Sequence, residues 1–332
     1  MPKKICVIPG DGIGLEVMES CLAVLDALKL DFEYVHADAG LACFKKRGEY
    51  IPDETIALAK SCDAVLMGAI QTPVPTPKDY KSPVLTLRRE LDLFANVRPF
   101  RQILPNMRPL DIVLFRENTE DVYNCREYEK DGAVVSERVI SRKGCERIVK
   151  FALDYAESHG RRKVTCIHKA NVLKRSDGMF REIFYDLAKA HPSIKAEDDH
   201  VDAAAMHLVM NPARYDTIVT LNLYGDILSD EIAGLVGGLG FAPSANVGEK
   251  YALFEPVHGS APDIAGKGTA NPVAMILSAC MMLRHFGYEA QAAKVESAIG
   301  KMLKDGKCTS DCGGKMKTKE FSKELIREIA RR

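Results

Sequence analysis

Residues 215–236 read YDTIVTLNLYGDILSDEIAGLV, and the order of its two halves decides the fold class. YDTIVTLNL has the β-branched, apolar character of a buried strand, and the DILSDEIAGLV that follows carries apolar residues at helical spacing. Working outward, the same succession recurs in KKICVIPG and EVMESCLAVLDALK (3–10, 16–29), in DAVLMGA and TLRRELDLF (63–69, 86–94) and in RRKVTCIHK and GMFREIFYDLAKA (161–169, 178–190). Such alternation predicts an α/β protein with a largely parallel core sheet. Toward the C terminus, ANPVAMILSACMMLRHFG, YEAQAAKVESAIGKMLKDG and KEFSKELIREIARR read as successive helices whose Met and Leu positions belong to a core. No repeat of fixed period and no low-complexity segment appears.

A chain of 332 residues is about two domains' worth. Its 46 Lys and Arg balance 46 Asp and Glu with no acidic or basic tail, which argues against a nucleic-acid groove or an anionic membrane surface. No apolar run approaches the roughly 18 residues of a bilayer span, and MPKK leads into the strand-like ICVI, so a cytoplasmic protein is expected. The ten cysteines are scattered, several inside apolar runs, and in a reducing compartment behave as small hydrophobes. Cys308 and Cys312 form a C-x-x-x-C pair, read as free thiols in preference to a structural metal site because no second pair or histidine accompanies it. The scatter also excludes a thiol metal store.

Two stretches interrupt the alternation. QTPVPTPKDYKSP (71–83) holds four prolines and no periodicity, the mark of a lid or binding loop. GEKYALFEPVHGSAPDIAGKGTANP (248–272) is a second Gly/Pro/Ala-rich connection, and function is expected where the two meet. GDGIG (10–14) follows an apolar strand and opens a helix, which suits either a backbone cradle for an anion or simply a tight turn; its spacing is not that of a dinucleotide fingerprint or a P-loop. Asp226 and Asp230 stand at i and i+4, on one face of a helix near its N-terminus. Like charges so placed repel unless a cation lies between them, which suits Mg²⁺ or Mn²⁺; a solvated acidic helix start is the alternative. Arg88, Arg98 and Arg116 lie beside apolar segments rather than in charge runs, so they are either surface arginines or guanidinium forks aimed at carboxylates.

GDGIG, LRRELDLFANVRP, RENTEDVY, HKANVL, NLYGDILSD, GGLGFAPSAN and EPVHGSAPDIAGKGTANP run in this order along essentially the whole chain. In order and spacing they resemble the β-decarboxylating dehydrogenases that act on isocitrate, homoisocitrate and 3-isopropylmalate. The resemblance implies an α/β, isopropylmalate/isocitrate dehydrogenase-like fold, not a Rossmann fold, with a mostly parallel core sheet and two domains about a cleft. The larger, cofactor-binding domain is expected over 1–98 plus 250–332, and the smaller, with the dimer interface and metal aspartates, over 99–249. The implied reaction is NAD- and divalent-metal-dependent oxidation of a (2R,3S)-3-substituted malate at C2, with loss of the C3 carboxylate as CO₂.

Carried over position by position, the resemblance makes Arg88, Arg98 and Arg116 carboxylate-binding residues. Asp226 and Asp230 become metal ligands, with Asp202 in VDAAAMHL the third, given by the neighbouring subunit. Lys169 in HKANVL, also donated across the dimer, matches the general base, and Tyr123 in RENTEDVY the acid that reprotonates the enolate. The residue types suit these roles. A divalent ion on the C1 carboxylate and C2 oxygen acidifies the hydroxyl, cationic surroundings drive a lysine toward its neutral form, and three arginines with a dication offset three aspartates and a trianion. For the cofactor the resemblance points to Ile70, Asn171, Glu255, His258, Gly259, Ser260, Ala261, Asp263, Ile264 and Asn271. Asp263 and Ile264 stand where NAD users carry an acid and an aliphatic residue, and NADP users a lysine and a tyrosine. A carboxylate there accepts ribose hydroxyls and repels a 2′-phosphate, so NAD is expected.

Substrate choice falls to the turn before Arg88. Isocitrate-type members place Ser-x-Asn where this chain has Ser82 and Val84, isopropylmalate-type members a Leu-Leu pair where it has Val84 and Leu85, and some homoisocitrate enzymes an arginine where Leu85 stands. The loop as a whole is most similar to the Ser-Pro-aliphatic-aliphatic-x-Leu-Arg loop of other homoisocitrate dehydrogenases. Homoisocitrate, giving 2-oxoadipate, is therefore the expected substrate, ahead of isocitrate and then 3-isopropylmalate, with some promiscuity because a few methylenes discriminate by only about 1–3 kcal/mol. A non-catalytic regulatory subunit of a heteromeric isocitrate dehydrogenase is the reading from another class. Such subunits lose the tyrosine, the lysine or a metal aspartate, whereas Tyr123, Lys169, Asp202, Asp226 and Asp230 are all present. The expected assembly is a homodimer with shared active sites, pairing into tetramers left open, acting on a small molecule with no nucleic-acid or membrane partner.

Overall fold

The run KKICVI becomes β1 (Lys3–Ile8), whose Ile5, Cys6, Val7 and Ile8 are wholly buried, as a strand flanked on both sides and covered on both faces requires. In the computed structural model, which describes every residue except Met1, Lys78, Asn106 and Arg332, the chain divides into two compact units. One comprises Met1–Leu91, Ile103–Met107 and Gly237–Arg332; the other Asp92–Gln102 and Arg108–Val236. In the first, β1 pairs in parallel with β2 (Phe32–His36) and β3 (Ala64–Met67), connected through α1 (Gly14–Ala27), α2 (Leu41–Arg47) and α3 (Asp53–Ser61). The proline-rich loop, in which Lys78 lies outside the described residues, leads to α4 (Pro83–Glu90). That helix starts with Pro83 and is capped by Ser82, whose Oγ accepts the Leu85 N–H at 3.4 Å. The sequence pattern carries this helix to residue 94; it stops at Glu90, where Leu91 and Leu93 are buried and Asp92 takes a φ of 45° that no helix holds.

The second unit opens with β4 (Ala95–Arg101) antiparallel to β5 (Asp111–Glu117). A two-stranded hairpin, β6 (Glu127–Lys130) and β7 (Ala133–Ser136), turns through Asp131 and Gly132 at φ 51° and 77°, the left-handed pair of a tight hairpin. Then come α5 (Arg142–Ser158), β8 (Lys163–His168), α6 (Ser176–Ala188), β9 (Lys195–His200), α7 (Val201–Met210), β10 (Thr217–Thr220) and α8 (Asn222–Leu235). Strand order is β4-β5-β10-β8-β9, parallel beyond the first pair. The strand read as YDTIVTLNL ends at Thr220, and Asn222 and Leu223 already belong to α8.

Back in the first unit, β11 (Pro243–Val247) and β12 (Ala252–Pro256) form an antiparallel pair, so part of the second connection is strand rather than loop. The order is β2-β1-β3-β12-β11, and α9 (Val273–His285), α10 (Glu289–Lys304) and α11 (Thr318–Ala330) complete the unit. Each unit is thus a mostly parallel sheet with helices, as the β-α alternation predicts. Among the described residues no helix is long and apolar enough to cross a membrane.

The GDGIG turn is occupied by the chain itself. Asp11 donates its N–H to the Ala69 carbonyl (2.7 Å) and Ile13 donates to that of Ser260 (2.9 Å), so the turn is where the two irregular connections meet. The buried Asp11 carboxylate accepts the N–H groups of Leu41 (2.9 Å) and Ala42 (2.8 Å) at the start of α2, and of Gln71 (2.9 Å). Gly10 and Gly12 hold φ of 77° and 55°, and a Cβ on either would fall 2.1 Å from a carbonyl oxygen. Asp11→Ala leaves the N–H groups of half-buried Leu41 and Gln71 and of exposed Ala42 without their acceptor and is expected to destabilise the protein by roughly 3 kcal/mol, lowering the midpoint of thermal unfolding by several degrees. An unchanged midpoint in calorimetry would show that these donors do not depend on Asp11.

Candidate active site

Because α8 begins immediately after β10, its first turns carry Asn222, Asp226, Ser229 and Asp230 to the side onto which β4 and β5 project Arg98 and Arg116. Both guanidinium groups are buried, at 5% and 1% exposure, and buried charge needs compensation. Arg116 donates Nε–H to Asn222 Oδ1 at 2.8 Å and an Nη1 hydrogen to the Asp226 carboxylate. Arg98 donates Nε–H to Asn96 Oδ1 (2.6 Å) and Nη1–H to Ser229 Oγ (2.5 Å), with Asp226 and Asp230 at 3.7 and 3.8 Å from its terminal nitrogens. Tyr123, in the short 3₁₀ turn Val122–Asn124, donates its hydroxyl to Asp226 Oδ2 at 2.6 Å and stacks under the Arg116 guanidinium at 4.9 Å. Arg98, Arg116, Tyr123, Asp226 and Asp230 therefore form one constellation. Burial, reinforced by the Asp226 carboxylate and opposed by Arg98 and Arg116, holds the Asp230 carboxyl above its ordinary range. Asn96, Asn222 and Ser229, which orient the arginines, are not singled out by the sequence reading; the available signal is spacing, Asn96 two residues before Arg98 on a strand and Asn222 four before Asp226 on a helix.

Lys169 and Asp202 pair with one another instead, the Lys169 ammonium holding the Asp202 carboxyl below its usual range. Among the described residues no three His, Cys, Asp or Glu side chains are arranged to hold a metal ion. One chain thus offers two hard oxygen donors of the kind Mg²⁺ and Mn²⁺ take, Asp226 and Asp230, and a separate Lys169–Asp202 pair. All ten cysteines are free thiols. Cys308 and Cys312 bond locally, Cys312 Sγ to the Thr309 carbonyl at 3.3 Å and Cys308 Sγ to that of Cys312 at 3.5 Å, and burial pushes the Cys312 thiol up to about 12.

In the first unit Arg88, buried on α4, reaches Glu255 Oε1 on β12 at 3.5 Å, and that oxygen also accepts from Asn246 Nδ2 at 2.8 Å. Val84 and Leu85 occupy the first turn of the same helix, partly exposed, while the Ser82 hydroxyl serves as its cap. In the 257–272 loop Ala261 sits at φ 36°, its carbonyl accepting the Ile264 N–H at 3.1 Å. Gly259 is exposed and Ser260 buried, and Ile70 lies against Gly10. The His258 Nε2 atom is buried without a partner among the described residues, and burial lowers the imidazole's pKa, favouring the neutral ring. Asp263 is exposed, and among the described residues its carboxylate is unengaged. Asn271 accepts the Val273 N–H and donates to Asp311 Oδ2, both at 3.0 Å. Asp311 is a further partner the sequence reading misses, because only the flanking thiols of that segment draw attention. An orphaned ring nitrogen and an unengaged carboxylate on one loop fit the polar groups of a dinucleotide. Asn171 belongs to the second unit, exposed in the turn after Lys169.

Arginines opposed by carboxylates on an α/β frame have the chemistry to meet a small polycarboxylate. The chain matches the isocitrate/isopropylmalate dehydrogenase family over residues 4–325 and belongs to it. It is 52% identical over 330 residues to the 3-isopropylmalate dehydrogenase of Methanothermobacter thermautotrophicus, covering 98% of each chain. To the homoisocitrate dehydrogenase of Methanocaldococcus jannaschii it is 48% identical over 343 residues, covering 99% of this chain and 98% of that one. The crystal structure of isocitrate dehydrogenase from Methylococcus capsulatus superposes with a TM-score of 0.94 at 41% identity, covering 98% and 99% of the two chains. The protein is thus a decarboxylating dehydrogenase acting on a CH–OH group, in a family whose members differ in the substrate they are named for.

Gly225 tests the constellation. A Cβ there would lie 2.6 Å from Arg116 Cγ and 2.7 Å from its Cβ, atoms too near the backbone to swing aside. Alanine in a helix interior ordinarily adds about 0.5–1 kcal/mol over glycine. Gly225→Ala is expected to reverse that sign and, by displacing Arg116, to lower kcat/KM by at least about tenfold with the circular dichroism spectrum intact. Full activity would mean that Arg116 is not held where catalysis needs it.

Proposed function

We propose that the protein catalyses the NAD- and Mg²⁺- or Mn²⁺-dependent oxidative decarboxylation of homoisocitrate to 2-oxoadipate. The observation that carries the chemistry is the Arg98–Arg116–Tyr123–Asp226–Asp230 constellation; the loop preceding Arg88 carries the substrate. Arg88, Arg98 and Arg116 hold the carboxylates of the 3-substituted malate, with Ser82, Val84 and Leu85 facing its C3 substituent. Lys169 of the partner subunit takes the proton of the C2 hydroxyl as the C2 hydride departs, and after CO₂ leaves C3 Tyr123 returns a proton to that carbon. When bound by Asp226, Asp230 and Asp202 of the partner subunit, the divalent ion supplies electrophilic polarisation at the C2 oxygen, and NAD supplies the hydride acceptor. The cofactor takes the face made by Ile70, Glu255, His258–Ala261, Asp263, Ile264 and Asn271, with Asn171 beside Lys169.

The unit containing Met1–Leu91 and Gly237–Arg332 is the cofactor-binding domain in this reading, and the other carries the metal aspartates and the dimer interface. Exposed Met206, Val209 and Met210 on α7 and Ile227 on α8 support a homodimer, since a monomer rarely leaves such a patch uncovered. Ten free thiols support a cytoplasmic setting. A second reading, 3-isopropylmalate as substrate, is favoured by the apolar pair Val84–Leu85, which suits an alkyl group, and by the name of the 52% identical relative.

The deciding measurement is kcat/KM for homoisocitrate, isocitrate and 3-isopropylmalate at one pH with Mg²⁺ and NAD. Homoisocitrate is expected to lead and EDTA to abolish turnover; a lead of about tenfold or more by 3-isopropylmalate would install the second reading. Cofactor choice is tested separately. Asp263→Lys with Ile264→Tyr exchanges a like-charge clash with a 2′-phosphate for an ion pair, and is expected to erode or invert a strong preference for NAD. Equal NAD and NADP efficiency in the wild type would remove the role given to Asp263.

A further inference from the structure

Beneath the second unit's catalytic residues lies an ionic group to which neither the sequence motifs nor the reaction assigns a role. Asp121 and Asp177 are completely buried, and two buried carboxylates are tolerable only with a cation between them. Arg138 is that cation: Nε donates to Asp121 Oδ1 at 2.7 Å and Nη1 to Asp177 Oδ1 at 2.6 Å, while its guanidinium lies 5.0 Å from the Tyr224 ring centre. The outer arms of this triad end on functional segments. Asp121 Oδ1 accepts the N–H of Val122 (2.9 Å), first residue of the Tyr123 turn, and Oδ2 that of Leu223 (3.0 Å) in the first turn of the helix bearing Asp226. Asp177 Oδ2 accepts the backbone N–H of Lys169 at 2.8 Å and the Tyr224 hydroxyl at 3.1 Å. Asp121 itself is held at a φ of 74°, a conformation an aspartate keeps only when its surroundings over-determine it.

We propose that Arg138, through Asp121 and Asp177, is a positioning residue that sets Tyr123 and Lys169 in catalytic register from a single ionic brace. The proposal rests on the reading of Tyr123 as acid and Lys169 as a base given to the partner subunit's site; under it, one brace serves two different active sites of the dimer. Arg138 touches no reacting atom in this scheme. Its effect runs through backbone N–H groups adjoining the two catalytic side chains, where a displacement on the ångström scale suffices to cost about a hundredfold in rate.

The test begins with the intact dimer, Mg²⁺, NAD and the best of the three substrates. Arg138→Met is expected to lower kcat by about twentyfold with KM within about twofold, and Arg138→Lys, which keeps charge and one contact, to recover most of the loss. Unchanged kcat per folded molecule, even with a lower unfolding temperature, would make Arg138 a purely structural residue and overturn the proposal. If Arg138→Met does not fold, Tyr224→Phe removes only the hydroxyl bond to Asp177 and is expected to lower kcat about threefold, and unchanged kcat there overturns the proposal equally. The two arms are then separated by refolding Lys169→Ala chains with Asp226→Ala chains, which leaves one working site built from Tyr123 of the first and Lys169 of the second. Arg138→Met on either chain alone is expected to slow that site; slowing from one chain only would cut the brace to a single arm and overturn its double role. If the parent mixture has no activity, the shared-site reading fails, and the homodimer kinetics alone judge the brace.

Discussion

A guanidinium taken out of water costs several kcal/mol unless oxygen acceptors meet it, and the second unit buries two of them side by side. Arg116, next to the last residue of β5, stands directly across the ladder from Asn96 on β4, and Asn96 accepts from Arg98 two residues on, so the antiparallel pair presents both cations together. α8 must then begin where it does, so that Asn222, Asp226 and Ser229 supply acceptors, and it must carry glycine at 225 for the arginine stem to pass. One electrostatic requirement thereby places a helix against two strands, aims a tyrosine hydroxyl and fixes the two carboxylates of the site.

The first unit solves the opposite problem in the same manner. There the buried ion is a carboxylate, Asp11, and three backbone N–H groups meet it. The GDGIG motif offers the donors and turn of an anion cradle, and the sequence leaves open whether an outside anion fills it. The chain meets the turn's own donors with backbone carbonyls, that of Ala69 taking the Asp11 N–H and that of Ser260 the Ile13 N–H, while the Asp11 side chain ties the start of α2 and Gln71 to the turn.

What was legible follows from where the signal lies. Parallel strands and helices repeat with their own period, so β1, β3, β8 and β10 and the helices beside them could be read from composition alone. The antiparallel pairs could not. β4 spells ANVRPFR, its apolar residues broken by two arginines and a proline, and β12 hides within a Gly/Pro-rich connection. The β6–β7 hairpin is almost wholly exposed and so carries no core pattern, its one local signal being the turn pair Asp131-Gly132. At the site, the motifs mark the residues that carry charge but not the partners that orient them. Arg138 and Asp311 act across contacts remote in sequence, which only packing reveals, whereas Asn96 lies two residues before Arg98 and has spacing alone as its signal.

In the free chain every charged residue proposed to meet substrate or metal already has an opposite: Arg98 and Arg116 have Asp226 and Asp230, Arg88 has Glu255, and Lys169 has Asp202. Under the proposed chemistry the pairs of Arg98 and Arg116 with Asp226 and Asp230 are exchanged rather than broken. A polycarboxylate substrate takes the place of the aspartates at the arginines, while the aspartates turn to the cation that arrives with it. Desolvation of the arginines has been met during folding, whereas Asp226, Asp230 and Asp202 stay solvated until ligands cover them, and neither ligand alone restores the balance. Metal without substrate would leave the arginines uncompensated; substrate without metal would set its carboxylates against Asp226 and Asp230. The arrangement therefore favours joint binding of the two, and it keeps the arginines compensated when neither is present.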